Sequence, residues 1–119
     1  MSEVALMVVR APNFDFAVAA DRVQEVIPLE RWNGEAALDL AQVVGAPSVE
    51  GAVRVLLVTR DGREPFAALV SGAVTLRHVA RTELLTVPAP LAAHVAWLSH
   101  IVVSDGQPPL LVLDTERLA

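Results

Sequence analysis

The sequence has 119 residues, of which 54% are hydrophobic and 4% aromatic, and its formal net charge is -5. This length fits a single domain over residues 1–119, with a core of Val, Leu, Ile and Ala. There is no Cys, which excludes disulfides and thiolate metal sites. All nine basic residues apart from His are scattered Arg, which argues against nucleic acid as a partner.

No apolar stretch is long enough to span a bilayer, since the longest candidate, Ala89–Val103, is interrupted by Pro90, His94, Ser99 and His100. The first residues, MSEV, show no basic region before an apolar core, so no secretory signal is apparent. We therefore expect a soluble cytoplasmic protein without direct membrane insertion.

The N-terminal part shows strand patterns. Glu3–Arg10 is a nearly continuous apolar run, typical of a strand buried on both faces. Phe14–Ala19 alternates, which places Phe14, Phe16 and Val18 on one face of a second strand.

The next segment is ambiguous, because Val23, Val26 and Ile27 are spaced three and four residues apart. This spacing fits either a single helical turn or a bent strand, and Pro28 ends it.

A strand that ends in Asp and enters a helical turn is predicted twice. Ala36–Leu40 predicts a short strand, followed by a helix over Asp39–Val44 with Gly45 as its C′ residue. Leu110–Leu113 predicts the last strand, and Asp114 is placed to cap a terminal turn. The repetition suggests two similar β-rich halves.

The central stretch, Arg54–Leu76, predicts a long hairpin. Asp61-Gly62 lies between two apolar runs, which is typical of a type I′ turn. Ser71-Gly72 interrupts the second arm, which suggests a bulge before the arm resumes.

Beyond the hairpin the patterns are shorter. Arg81–Glu83 predicts a brief helical turn that Thr82 could cap. Leu91–Trp97 is ambiguous, and the β-branched residues that follow it favour a strand by Val95. Asp105-Gly106 predicts a third turn.

The sequence shows no arrangement typical of a catalytic or metal site. His78, His94 and His100 lack the spacing of metal ligands, and Ser71 and Ser99 lie in no nucleophile motif. No glycine-rich phosphate loop is present. We therefore predict no catalytic residue, cofactor or metal, and expect a β-rich module that recognises proteins through a strand edge or an apolar groove.

Several stretches together resemble the CheW-like family, the coupling module of bacterial chemosensory arrays. Val23-Gln24-Glu25-Val26 resembles the Val-x-Glu-Ile core of the family opening, within Phe14–Leu29. Further stretches resemble the end of the first subdomain, the central hairpin and the closing hairpin: Ala37–Gly45, Arg54–Leu76 and Leu98–Leu118.

This resemblance implies a mainly β fold of two small, five-stranded, SH3-like barrel subdomains with short helical turns. Family members bind the cytoplasmic tip of methyl-accepting chemoreceptors in a groove between the barrels. They also bind the regulatory domain of the CheA histidine kinase, which has the same fold, so possible partners are a receptor, a CheA-type kinase or another CheW-like protein.

The sequence departs from the family after Pro28. There the family carries a further strand and an Asn-Leu-Arg-Gly turn, whereas here only residues 29–35 precede Ala36, with Asn33-Gly34 as a remnant. Since a strand needs about 5–6 residues and a turn, the first barrel is expected to be shortened and CheA coupling weak or lost. The shortening resembles the FrzB-type subgroup.

The predicted partner-binding residues line the groove between the barrels: Val23, Glu25, Val26, Ile27, Val70, Gly72 and Val74. Core packing is the alternative for the aliphatic residues, and a bulge without a partner role is the alternative for Gly72. Two other functions stay open: a full coupler whose missing strand comes from a partner or a second copy, and a small β-barrel ligand-binding protein or enzyme.

Overall fold

Strands account for most of the described backbone. The computed structural model describes residues 3–34, 37–47 and 51–118. Within these ranges the strands and helices are β1 Glu3–Arg10, β2 Asp15–Ala19, β3 Val23–Pro28, β4 Leu38–Asp39, α1 Leu40–Val44, β5 Val53–Arg60, β6 Arg63–Ser71, β7 Val74–Ala80, β8 Leu85–Thr86, α2 Ala89–His94, β9 Leu98–Val102 and β10 Leu110–Leu113. Single 3₁₀ turns lie at Ala20–Arg22, Leu29–Arg31 and Arg81–Glu83.

The described strands form two sheets. One has six strands in the order β7-β1-β2-β10-β9-β8, and the other has four in the order β3-β5-β6-β4. The predicted mainly β fold is confirmed. We expected one five-stranded barrel and one shortened barrel, whereas the described strands divide six and four, because β7 pairs with β1. The smaller sheet contains β3, the strand that precedes the segment predicted to be shortened.

The central hairpin forms as predicted, but its turn is not type I′. β5 and β6 pair antiparallel on either side of Asp61-Gly62. A type I′ turn needs positive φ at both central residues. Gly62 has φ 67°, whereas no described residue other than glycine has a positive φ. The side chain of Asp61 instead accepts two hydrogen bonds from Arg22.

The chain changes sheets where the second hairpin arm was expected to resume. Gly72 has φ 86°, and its N–H donates to the Ala52 carbonyl at 3.0 Å. β7 then pairs with β1 along its whole length instead of extending the hairpin. Positive φ costs an ordinary residue roughly 1–2 kcal/mol, so a glycine at this position allows the backbone to pass from one sheet to the other.

The predicted repetition of strand, Asp and helical turn is confirmed. Asp39 Oδ1 accepts the Ala41 N–H at 3.1 Å, and Asp114 Oδ1 accepts the Glu116 N–H at 3.0 Å. The strands that end at these caps, β4 and β10, each pair in parallel, with β6 and β2 respectively. The two aspartates therefore close the same supersecondary unit in each sheet.

A strand by Val95 is a wrong prediction, because Ala89–His94 is a helix and β9 begins only at Leu98. Pro90 lies in the first helical turn, where its missing N–H leaves no hydrogen bond unmade. Alanine is the strongest helix former, and three of the six residues are Ala.

The 3₁₀ turn after β7 forms as predicted, but Thr82 does not cap it. The Glu83 carboxylate accepts the Ala80 N–H at 2.9 Å instead. A glutamate that reaches back to the start of a turn satisfies a donor that the turn itself leaves open.

The buried apolar residues of the described ranges form two clusters. The first, the shared cluster, draws on both sheets: Val9, Phe16, Val18, Leu40, Leu56, Val58, Ala68, Val70, Leu113 and Leu118. The second lies within the larger sheet: Leu6, Val8, Ala17, Val79, Val102, Leu110 and Val112. Because the first cluster belongs to both sheets, neither sheet buries its apolar face alone.

Candidate functional site

β3 carries the first predicted contact residues, and a bulge decides which way they face. Val23 is opposite Val58 and Val26 is opposite Leu56, with a register shift at Gln24 between them. In a regular strand, residues three apart face opposite sides. The extra residue therefore puts Val23 and Val26 on the same face, the one that carries the shared cluster.

Ile27 and Glu25 face the other side of β3. They are opposite Val55 and Leu57, which alternate with the cluster residues of β5. Ile27 is half-buried, and Glu25 is exposed. The structure therefore separates Ile27 and Glu25 from Val23 and Val26, which the sequence analysis placed in one groove.

Three predicted residues lie near the passage between the sheets, but they differ in access. Val70 is 2% exposed and belongs to the shared cluster, so its side chain is not open to a partner. Val74 packs against the same cluster from β7. Gly72 lies between them in the chain, and because it has no side chain, it could contact a partner only through its backbone.

Val26 combines the cluster-facing side of a sheet with exposure to solvent. Its neighbour Leu56 is fully buried, whereas Val26 is 41% exposed. β3 is an edge strand of the four-stranded sheet, so β5 is the only described strand that flanks it. An aliphatic side chain in this position is partly desolvated and has apolar neighbours, which suits contact with an apolar side chain of another protein.

Arg54 is a residue of this surface that the sequence analysis did not identify. It is opposite both Pro28 on β3 and Val70 on β6, so it shares the face of Val26. Its Nη1 donates to the Gly72 carbonyl at 3.0 Å. In the sequence it appears only as an arginine at the start of an apolar run, because its neighbours come from strands distant in the chain.

The crevice where α1 approaches β1 is too small to admit a side chain. Its lining includes Val9, Phe16, Ala41, Pro47 and Ser71. Its volume is about 20 Å³, little more than the roughly 10–15 Å³ that a cavity needs to hold one water. Contact at the junction of the sheets therefore concerns the outer margin at β3.

Charged residues on other elements join the hairpin tip to the C-terminal turn. Arg22 binds Asp61 with two hydrogen bonds, of 2.8 and 3.1 Å. Glu116 accepts the Asp61 N–H at 3.0 Å and lies 3.7 Å from both Arg22 and Arg63. The hydrogen bonds from Arg22, and then its charge, lower the pKa of Asp61 below its ordinary value of 3.8.

His100 has a hydrogen-bonded position beside an open cleft of about 320 Å³ that Arg81 and Leu84 also line. Its Nδ1 lies 3.1 Å from Ser99 Oγ, which donates to the Val112 carbonyl at 3.1 Å.

The described ranges contain no group of three or more His, Asp or Glu side chains that could hold a metal ion. In the same ranges, no helix has the length and apolar composition needed to cross a membrane.

No family model and no curated protein matches this sequence. Among solved structures, the chain is similar to the scaffolding protein TtCheW from Thermoanaerobacter tengcongensis, with a TM-score of 0.75 and 14% sequence identity. The similarity covers 99% of this chain and 88% of that one. The FrzB-type subgroup stays a prediction, whereas the resemblance to CheW is confirmed at the level of architecture. The chain therefore has a CheW-like fold.

Proposed function

We propose that this chain is a non-catalytic adaptor in a bacterial chemosensory array, and that it binds the cytoplasmic tip of a methyl-accepting chemoreceptor. The CheW-like fold supports an adaptor role by analogy. The observation that carries the proposal is Val26, an exposed aliphatic residue on the cluster-facing side of an edge strand. The proposal places the protein in the cytoplasm, where the receptor tip lies.

Binding takes place along the margin of the smaller sheet. Val23 and Val26 offer aliphatic surface there, and Arg54 lies on the same face. The tip of such a receptor is a helical hairpin, so an amphipathic helix would lay its apolar stripe along β3. Val70 lies beneath this surface and supports it from the core.

Replacing Val26 by Asp tests the surface directly. A carboxylate at this position would have to be desolvated in the complex, so we expect affinity for a purified receptor tip to fall about tenfold or more. Titration calorimetry measures the affinity. Leu76→Asp is the matched control, since Leu76 is 60% exposed on β7 of the other sheet and should tolerate the change.

The thermal midpoint of each variant separates contact from folding. If Val26→Asp has the thermal midpoint of the wild type but no longer binds the receptor tip, the result supports the proposal. Equal binding by Val26→Asp and the wild type would reject this surface. Loss of the folded state would instead assign Val26 to the core.

We further propose that coupling to a CheA-type kinase is weak. β3 ends at Pro28 on one edge of the four-stranded sheet, and β4 begins at Leu38 on the other edge. A 3₁₀ turn, Leu29–Arg31, takes up part of this connection, which leaves little room for another strand of ordinary length. Parallel titrations should show at least about tenfold weaker binding to a kinase regulatory domain than to the receptor tip. Equal affinities would contradict weak coupling while leaving receptor binding intact.

A further inference from the structure

Arg54 is an isolated charge on an otherwise aliphatic and aromatic face. Beyond the hairpin tip, which carries Arg60 and Arg63, the other paired positions of β3, β5 and β6 on this face are all apolar. They are Val23, Val26, Pro28, Leu56, Val58, Phe66, Ala68 and Val70. Glu25, the acidic residue of β3, is on the opposite face. Leu56, Val58, Ala68 and Val70 are buried in the core, whereas Val26 and Pro28 are exposed. The exposed margin of this face therefore combines apolar surface with one positive charge.

The guanidinium of Arg54 keeps unused binding capacity. An arginine has five N–H donors in a planar fork, and among the described residues Arg54 makes one hydrogen bond, to the Gly72 carbonyl. No ion pair joins it to a carboxylate within those residues. The bond to Gly72 fixes one end of the fork and leaves further donors for a second acceptor.

The position of Arg54 relative to Val26 defines what a partner must present. Val26 is opposite Leu56, and Arg54 lies two residues along β5 from Leu56 on the same face. Such diagonal neighbours are about 7–8 Å apart across a sheet. A helix that covers Val26 with an apolar side chain can therefore bring a side chain from the margin of its apolar stripe to Arg54.

We propose that Arg54 is a specificity-determining residue that binds an Asp or Glu side chain at the margin of the partner helix, beside the apolar stripe that covers Val26. The inference rests on the proposed receptor docking at this surface. A carboxylate fits because it accepts two parallel N–H bonds from a guanidinium. The chain as a whole is acidic, with a net charge of -5, so attraction for an acidic helix comes from Arg54 locally.

The test compares Arg54→Gln with Arg77→Gln in titrations against the receptor tip at low and high salt. Arg77 is a matched control, since it is also half-buried and also donates one hydrogen bond, to Ser104 Oγ at 3.1 Å, but lies on β7. We expect Arg54→Gln to lower affinity about tenfold and to remove most of its salt dependence. Arg77→Gln should bind as the wild type does.

A partner-side cycle identifies the acceptor. Each Asp or Glu beside the apolar stripe of the receptor tip is changed to its amide, alone and together with Arg54→Gln. For one of these residues, the double variant should lose no more affinity than the more severe single variant loses, because both changes remove the same interaction. Additive losses at every position would overturn the inference.

Other outcomes separate this inference from the proposed function. If Val26→Asp loses binding while Arg54→Gln keeps wild-type affinity and salt dependence, Arg54 has no role in recognition and the docking surface stands. If the wild type does not bind the receptor tip, both fail. Arg54→Gln could destabilise the fold, which would show as a thermal midpoint lowered more than that of Arg77→Gln. In that case Arg54→Lys, which keeps the charge, is titrated in its place. If binding of Arg54→Lys does not depend on salt as wild-type binding does, the inference is overturned.

Discussion

Asp61 shows how a single turn residue can join distant parts of the chain. Its carboxylate binds Arg22, its N–H binds Glu116, and its own position is the tip of the central hairpin. The Arg63 side chain also donates to the Glu116 carbonyl. Exposed ion pairs usually contribute little, but a bidentate arginine within a network is the more favourable case. The network therefore holds the hairpin tip against the C-terminal turn.

The lowered pKa of Asp61 predicts how this contact depends on pH. A carboxyl whose pKa is lower in the folded state adds stability above its unfolded pKa and loses it as the pH falls toward the folded pKa. We expect Asp61→Asn to lower the thermal midpoint at neutral pH, and the difference from the wild type to shrink as the pH falls below 3.8.

Asp105→Asn is the matched control for this experiment, since Asp105 also precedes a turn glycine of positive φ, Gly106. Thermal denaturation across the pH range should show no comparable pH-dependent difference for this variant. A constant difference for Asp61→Asn, independent of pH, would mean that Asp61 acts through the turn backbone instead of through its charge.

Residue-scale predictions succeeded where the signal was local. Asp114 caps the terminal turn as predicted, and Asp39, predicted as the first residue of the helix, is its N-cap instead. Both turns begin beside their aspartates, so neighbouring sequence determines them. Arg54 could not be assigned in this way, because its neighbours Pro28 and Gly72 come from different elements. The face that Arg54 shares becomes visible only once strand register is known.

At the scale of elements, β3 has no pairing strand on its outer side within the described part of the chain, and it carries features that hinder strand addition. Pro28 is opposite Arg54 and has no N–H, so it occupies a non-hydrogen-bonded position relative to β5. The alternation then directs the N–H and C=O of Ile27 toward β5 and those of Val26 toward the open edge. Pro28, the bulge at Gln24 and the charge of Glu25 each interrupt such an edge.

These features bear on the hypothesis that a second copy supplies a missing strand. We expect the wild type to sediment as a monomer and the double variant Glu25→Val, Pro28→Val to form dimers at the same protein concentration. Glu25→Val removes the charge from this edge, and Pro28→Val restores an N–H that can hydrogen-bond to another strand. Analytical ultracentrifugation makes the comparison, with Glu30→Val as the control, because Glu30 is exposed in the neighbouring 3₁₀ turn. A stable wild-type dimer would contradict this expectation and support strand exchange.

The same strand marks a limit of reading elements from sequence. The spacing of Val23, Val26 and Ile27 left a helical turn and a bent strand open, and the structure has a strand with a bulge. Pairing with β5 stabilises that bulge, and a one-residue shift reverses every later side chain. The sequence therefore indicated the segment, whereas only the register separates Ile27 from Val26.

At the scale of the whole molecule, the shared cluster makes the two sheets depend on each other. Val9, Phe16 and Val18 come from the larger sheet, and Leu56 and Val58 from the smaller one. The prediction of an aliphatic core follows from composition, but the sharing does not, because it depends on how β1 and β2 face the smaller sheet. The proposed docking surface lies at the margin of this junction, so we expect its shape to depend on both sheets.

The shared cluster predicts that the chain unfolds as one unit. Leu56 is fully buried in it, so Leu56→Ala should lower the free energy of unfolding by about 2–5 kcal/mol. The variant should still unfold in a single transition, with coincident midpoints from tryptophan fluorescence and far-ultraviolet circular dichroism. Val79→Ala, in the second cluster, is the comparison and should unfold in one transition as well. Two separated transitions in Leu56→Ala would show that the larger sheet persists without the smaller one, and would contradict a common core.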